Sequence, residues 1–265
     1  MSIRMMSVLL AGAGMLVGPA LAAESCSASS PRHRVPLVEL YTSEGCSSCP
    51  PADRWLSARM PDATAGRLLP LAFHVDYWDY IGWKDPFAQA AFTRRQRELA
   101  DQGGSRTVYT PQVVVDQRDF PGWRNASTFE ASLSAAVRRQ PGADLSMDLR
   151  MDSPLRWKVD LRGKLVDPES SSRAVVFLAL FENNLETRVK AGENAGATLR
   201  HDYVVREWLG PYRFGSAGAI AAQAEIEIRR DWKPKNLGIA AIAYSTPGGE
   251  VLQTMALPAC AGPLN

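Results

Sequence analysis

The sequence predicts an α/β domain over residues 35–141 followed by an all-β, sandwich-like domain over residues 142–265. Three observations predict it. Extended and helical patterns alternate through the first half, as they do where helices cover a sheet. In the second half the apolar period drops to two, the spacing of strands with one buried face. Between a strand and a helix of the first half stands Cys46-Ser-Ser-Cys49, followed by Pro50 and Pro51.

The chain opens Met1-Ser-Ile-Arg4, followed by an apolar run from Met5 to Val17 and small residues at Ala20 and Ala22. One positive charge, an apolar core too short to span a bilayer and an Ala-x-Ala site read as a signal peptide over residues 1–22. The expectation is an exported protein, periplasmic or secreted. No later stretch has eighteen consecutive apolar residues, so no membrane span is expected after signal cleavage. Lys and Arg number 30 against 28 Asp and Glu. That balance offers no electrostatic reason to expect nucleic acid or an anionic membrane as partner. Export places the four cysteines where disulfides persist. The economical pairing is a local pair, Cys46 with Cys49, and a structural bond between Cys26 and Cys260 near opposite ends. Free thiols at Cys26 and Cys260 are the alternative.

Val35–Tyr41 is a short apolar strand, and Thr42–Gly45 a tight loop. The prolines after Cys49 suit a first helical turn, where a missing N–H costs nothing. That helix continues from Ala52 to Met60, and Asp62–Arg67 is a polar break. Leu68–Val75 is apolar on both faces, the pattern of a strand inside a covered sheet. Asp85-Pro86 reads as a helix start, with Phe87, Ala88, Ala91, Phe92 and Leu99 on the buried side. Val108–Asp116 is a strand entered through Thr110-Pro111. Ser127 and Glu130 read as a capping box for a last helix. Beyond Gly142 the alternation of Leu145, Met147 and Leu149, then of Leu155, Trp157 and Val159, reads as an antiparallel hairpin. Ala174–Phe181, Ala224–Ile228, Leu237–Tyr244 and Val251–Leu257 complete the strands. The polar segment Val189–Gly196 and the stretch His201–Trp208 read as a long connection packed on the first domain, or as a partner surface. Lacking a Gly-Lys-Ser/Thr ending, that loop is no phosphate cradle, and no cofactor is expected.

The order strand, Cys-x-x-Cys, helix, strand, helix, Thr-Pro, strand, turn, helix resembles the thioredoxin-like superfamily over roughly residues 35–140. The resemblance makes Cys46 the exposed nucleophile, Cys49 the buried resolving thiol, and Pro111 a cis proline beside them with Thr110 before it. The first domain is then expected to be thioredoxin-like. A narrower similarity rests on the segments Val38–Asp53 and His74–Trp83. These look like a group of secreted bacterial proteins catalogued as domain of unknown function 1223, over almost the whole mature chain. It implies this fold and export, and names no substrate.

A thiolate is stabilised by the partial positive charge of a helix start, and two intervening residues let one sulfur reach the other. Cys46 and Cys49 are therefore expected to exchange disulfides with protein thiols or a redox partner protein. Two other readings stand beside this: a copper-handling chaperone using both thiolates and His74, and a non-catalytic binding module with Cys46–Cys49 as a fixed staple. Zinc would want further cysteines or histidines nearby. Ser47 and Ser48 depart from the residues found there in thioredoxin and its oxidising relatives, which leaves the direction of electron flow open. Glu39, on the strand before the motif, is a candidate general base or a partnered carboxylate; it is offset by one residue from the family's buried carboxylate. Tyr77 and Trp78, at a strand's end, are a candidate substrate wall with Thr110, or aromatic packing over the helix start.

Overall fold

The computed structural model describes residues 24–246 and 249–260; the leader read over residues 1–22 lies outside them. Glu24–Ser29 forms β1, which had no signal in the sequence pattern, and Leu37–Thr42 forms β2, buried at every position. The helix after the cysteines is α1, Pro50–Ser57. It stops short of the expected Met60, and a second helix, α2, Met60–Thr64, occupies part of the expected polar break. Leu69–His74 is β3, buried throughout as its two-faced apolarity requires. The next helix, α3, begins at Ala90 rather than Pro86 and runs to Gln102. The carboxylate of Asp85 does not act as its cap, because it accepts from the Glu44 and Phe87 N–H groups and meets the His74 ring. Gln112–Val115 (β4) and Arg118–Asp119 (β5) lead to α4, Ala126–Val137. Asn125, not Ser127, caps α4 by accepting from the Thr128 N–H at 3.0 Å, and Glu130 turns to Arg67 instead.

The second half contributes β6 (Ala143–Ser153) and β7 (Arg156–Leu165) as the expected hairpin, then β8 (Ala174–Glu182). β9 (Leu185–Arg188) and β10 (Thr198–His201) pair only with each other. Then come β11 (Val204–Arg213), β12 (Ala219–Glu227), β13 (Leu237–Ser245) and β14 (Glu250–Pro258). Their pairing corrects the expected fold class, an α/β thioredoxin-like domain followed by an all-β sandwich-like domain. The protein is mostly β, and one eight-stranded sheet in the order β14-β13-β8-β11-β3-β2-β4-β5 takes strands from both halves. A four-stranded sheet, β1-β6-β7-β12, packs on its second-half end. The reason lies in β8 and β13, which are apolar on both faces and so need cover on both. Val176, Leu178, Leu180, Ile239 and Ala241 face the four-stranded sheet. Val175, Ala179, Phe181, Ala240 and Ile242 join Tyr41, Phe73 and Phe92 on the opposite face, beneath α3. α1 and α4 cover the other face of β2 and β4 through Ala52, Leu56, Phe129 and Leu133 against Val38, Leu40 and Val113.

The halves meet where β11 lies parallel to β3, with Val204 opposite Ala72. The Ala72 N–H donates to the Tyr203 carbonyl at 2.8 Å. Two further ties cross the chain. The Cys26–Cys260 disulfide is formed, with the Cα atoms 5.5 Å apart and 234 residues between them. Arg34, 1% exposed, donates to Asp116 Oδ2 at 2.7 Å, to the Ala136 carbonyl at 3.1 Å, and twice to the Val251 carbonyl at 3.0 and 2.8 Å. One guanidinium thus joins the end of β4, the end of α4 and β14. Removing one member of such a buried pair strands the other charge. Arg34→Met is expected to lower the unfolding free energy by about 3–5 kcal/mol, read by denaturant titration. A loss under about 1 kcal/mol, the range of exposed pairs, would show that the fan of bonds is not a structural tie.

Candidate active site

β2 ends at Thr42, and the chain turns through Ser43–Gly45 toward the cysteines. A Cβ on Gly45 would stand 3.1 Å from Trp78 Cβ and 3.2 Å from its carbonyl oxygen, so glycine lets the loop pass that residue. Cys46 N–H donates to the Ser43 carbonyl and Cys49 N–H to the Cys46 carbonyl, both at 3.2 Å. These turns place Cys49 at the cap of α1, with proline in its first turn. Both cysteines are free thiols. The expected exposure of Cys46 is not found: it is 1% exposed and Cys49 0%, while Ser47 and Ser48 above them face solvent.

The cover comes partly from the second half. The 189–197 loop is closed by Val189 N–H on the Ala197 carbonyl and Gly196 N–H on the Val189 carbonyl, both 2.9 Å. From it Asn194 Nδ2 donates to the carbonyls of Glu44 and Cys46 at 2.8 and 3.0 Å, and Glu193 Oε2 accepts from the Ser47 N–H at 2.9 Å. Hydrogen bonding from the Ser47 side chain, and then this backbone bond, hold the Glu193 carboxyl below its ordinary range.

The two thiols are driven apart in acidity. The hydrogen bond from Cys49 lowers the Cys46 pKa to about 6 against the opposing effect of burial, with Ser48 and Thr110 adding to it. Ser48 Oγ lies 3.2 Å from Cys46 Sγ. Burial, then the hydrogen bond and charge of Cys46, then the field of Asp53 push Cys49 well above the thiol range. The surroundings therefore favour the thiolate on Cys46 and the proton on Cys49.

Thr110 and Pro111 come to this site: their peptide bond is cis, and the Thr110 carbonyl lies 3.9 Å from Cys46 Sγ. Trp78 Nε1 donates to Thr110 Oγ1 at 2.7 Å, so Trp78 holds the Thr-Pro loop. Tyr77 is half-buried with its hydroxyl unpartnered, and burial pushes it up to about 12. Glu39 is not brought to the cysteines. Successive strand residues point to opposite faces, so the one-residue offset turns Glu39 toward α3. There it meets Arg95 at 2.7 Å and accepts from Gln117 at 3.0 Å. Cys49 and α1 lie on the other face. His74 is also withdrawn, its Nδ1 2.7 Å from Asp85 Oδ2.

Sequence reasoning did not single out Glu44, Asp53 or His201, which are buried behind the pair with His74 and Asp85. For Asp53 a signal existed: it follows Cys49 by four residues, one turn along the same helix face. Nothing local marks His201, because its place depends on pairing of the second half with β3. Among the described residues no group of three or more His, Cys, Asp or Glu side chains has a metal-holding arrangement. Cavities of about 410 and 420 Å³ lie elsewhere, one under α3 near Trp208 and Tyr244, one between α2 and β14.

Alkylation of Cys46 in the reduced protein, followed by mass spectrometry, is expected to climb about tenfold per pH unit up to pH about 6 and then level off. Below that pH the thiol is protonated and unreactive. A profile still rising beyond pH about 8.5, the ordinary thiol value, would refute the assigned thiolate.

Comparison with known proteins adds the lineage. No curated protein matches the chain. A crystal structure of protein AGR_C_4864 from Agrobacterium tumefaciens is similar, with a TM-score of 0.61 at 23% identity, covering 88% of this chain and 98% of that one. HBP35 of Porphyromonas gingivalis is similar with a TM-score of 0.64 at 12% identity, covering 89% of this chain and 80% of that one. At such identities the likeness is one of fold. Among the described residues no helix is long and apolar enough to cross a membrane. The family model described as "Protein of unknown function (DUF1223)" matches residues 37–243, most of the chain, and the protein therefore belongs to that family.

Proposed function

We propose that this protein is an exported thiol–disulfide oxidoreductase acting on protein thiols, with Cys46 as nucleophile and Cys49 as resolving thiol. The observation that carries the reading is geometric: two free thiols three positions apart at the head of α1, with the cis Thr110-Pro111 bond beside Cys46, in surroundings that favour the thiolate on Cys46 and the proton on Cys49. A fixed staple gains nothing from such a division, whereas exchange needs one thiolate ready and one thiol in reserve. Acting as reductant, Cys46 attacks one sulfur of a substrate disulfide and the other sulfur leaves as thiolate. Cys49 then attacks Cys46 Sγ, the second substrate sulfur leaves as thiolate, and two electrons have passed to the substrate. The reverse sequence oxidises a dithiol. The backbone of Thr110 beside Cys46 Sγ supplies an edge for the substrate chain. Because Cys46 is 1% exposed, substrate enters as the Ser47–Ser48 turn or the 189–197 loop gives way. The Cys26–Cys260 bond and the leader-like start support an oxidising compartment.

Cys49→Ser, expressed in the exporting cell, is expected to accumulate mixed disulfides visible on a non-reducing gel and cleared by reductant. Cys46→Ser is expected to accumulate none. Absence of any adduct with Cys49→Ser, or equal adducts with both variants, would overturn the assignment.

A further inference from the structure

The ribbon of β9 and β10 joins neither large sheet, and its tip, residues 189–197, lies on the cysteine turn. A two-stranded ribbon is marginal by itself in water, so its side chains must anchor it. At its base Val189 and Leu199 are buried, and His201 Nε2 meets Glu44 Oε1 at 3.1 Å. The tip is held differently. Glu193 is exposed and Asn194 half-buried, yet both direct their side chains at backbone groups of the first half. Asn194 Nδ2 donates to the Glu44 and Cys46 carbonyls, and Glu193 Oε2 accepts from the Ser47 N–H. Gly192, with φ +73°, rests on Trp83: a Cβ there would stand 3.2 Å from Trp83 Cβ. Trp83 in turn donates from Nε1 to Glu44 Oε2 at 2.8 Å. Within the tip, Ala195 N–H donates to the Gly192 carbonyl at 3.2 Å and Ala197 N–H to the Asn194 carbonyl at 3.0 Å. The tip is therefore a folded unit that can lift as a whole.

The three backbone groups that the tip takes up flank Cys46. They are the groups an extended polypeptide laid beside that residue would use, its N–H groups donating to the carbonyls and its carbonyl accepting from the N–H. An amide donor on Asn194 and a carboxylate acceptor on Glu193 supply the same pattern from within the chain. We propose that the 189–197 tip is an internal strap that stands in for a substrate backbone beside Cys46, so that the site opens when a polypeptide displaces it. This rests on the oxidoreductase reading above and adds to it a built-in competitor for the substrate. While the strap is seated, Cys46 stays 1% exposed. The strap's own bonds involve exposed or half-buried groups, where water competes and each bond is weak. Its release is accordingly a local opening and does not require the fold to unfold. The second half of the chain thereby decides when the thiolate of the first half can be reached.

The first test follows alkylation of Cys46 by iodoacetamide in the reduced full-length protein, well above the ionisation of that thiol, so that the rate reads access. Asn194→Ala, Glu193→Ala and Gly192→Ala each remove one seat of the strap. Each is expected to raise the rate by about three- to tenfold, the change in an opening equilibrium when one ordinary hydrogen bond is lost. The faster rate is expected to stay nearly flat in urea below the unfolding transition, because lifting a strap exposes little surface. Wild-type rates in all three variants, or a rate that climbs in urea with the full unfolding slope, would overturn the strap. The second test uses Cys49→Ser with Cys46 joined either to a short cysteine-containing peptide or to the methylthio group delivered by methyl methanethiosulfonate. Amide hydrogen exchange over residues 189–197 and at Ser47 is expected to speed in the peptide adduct alone, since only a peptide replaces the strap's bonds. Equal exchange in the two adducts would overturn the stand-in role and leave the oxidoreductase reading in place. A Cys46 that takes up neither group would overturn that reading itself.

Discussion

The seam between β11 and β3 is the constraint on which the rest depends. One parallel register, Val204 opposite Ala72, places a second-half strand at the centre of the eight-stranded sheet. Because β11 enters there, the β9–β10 hairpin that precedes it must lie over the end of β2, where the cysteine loop emerges. Asn194 and Glu193 then reach the backbone of Glu44, Cys46 and Ser47, and His201 reaches Glu44 and Asp53. No comparable geometry is available to a first half standing alone, since β3 would have an open edge and Glu44 no imidazole partner. Arg34 and the Cys26–Cys260 bond hold the same closure from the far side of the molecule.

Burial at the cysteines has two opposed consequences. It removes Cys46 from solvent, which slows encounter with any substrate, and it makes each hydrogen bond and charge around the sulfurs count for more than it would in water. The division of acidity between Cys46 and Cys49 arises from that dry setting: one sulfur is hydrogen-bonded as the anion, the other is left with the proton and no compensating charge. A network of Glu44, Asp53, Asp85, His74 and His201 could not stay unscreened at the surface, and its three unpartnered atoms, Asp53 Oδ2, His201 Nδ1 and His74 Nε2, would be taken by water. The fold therefore withdraws the cysteine pair and these charged groups from solvent together. The same logic separates Glu39 from this chemistry. It is as buried as Asp53, but Arg95 neutralises it on the opposite face of the sheet, in a closed set with Tyr41, Tyr244 and Gln117.

Much of the local structure was legible in the sequence. The order of strand, cysteine loop and helix follows from apolar runs and the Pro50–Pro51 pair, and Thr110-Pro111 was marked as the entry to a strand beside the site. The hairpin β6–β7 follows from strict alternation, and β8 and β13 were visible as apolar runs. Helix boundaries were not legible where a side chain was claimed by a distant partner: Asp85 looked like a cap, but the His74 ring and the Glu44 N–H are brought to it only by folding. β1, β9 and β10 carry too little apolar pattern to be read as strands, because they sit at edges or in a two-stranded ribbon.

By itself the sequence determined most of the extended and helical segments and that the cysteine pair would stand at a helix start, and it made Cys26 with Cys260 the economical pairing of the other two. These depend on local pattern, on the backbone demands of proline and on the small number of pairings four cysteines allow. Only the tertiary structure decided that both halves share one sheet, that Cys46 is enclosed, and that Asp53 and His201, rather than Glu39, stand behind Cys49. Strand register and sheet order set those outcomes. A shift of one residue sends a side chain to the opposite face, and which strand lies beside β3 is settled by contacts more than a hundred residues apart.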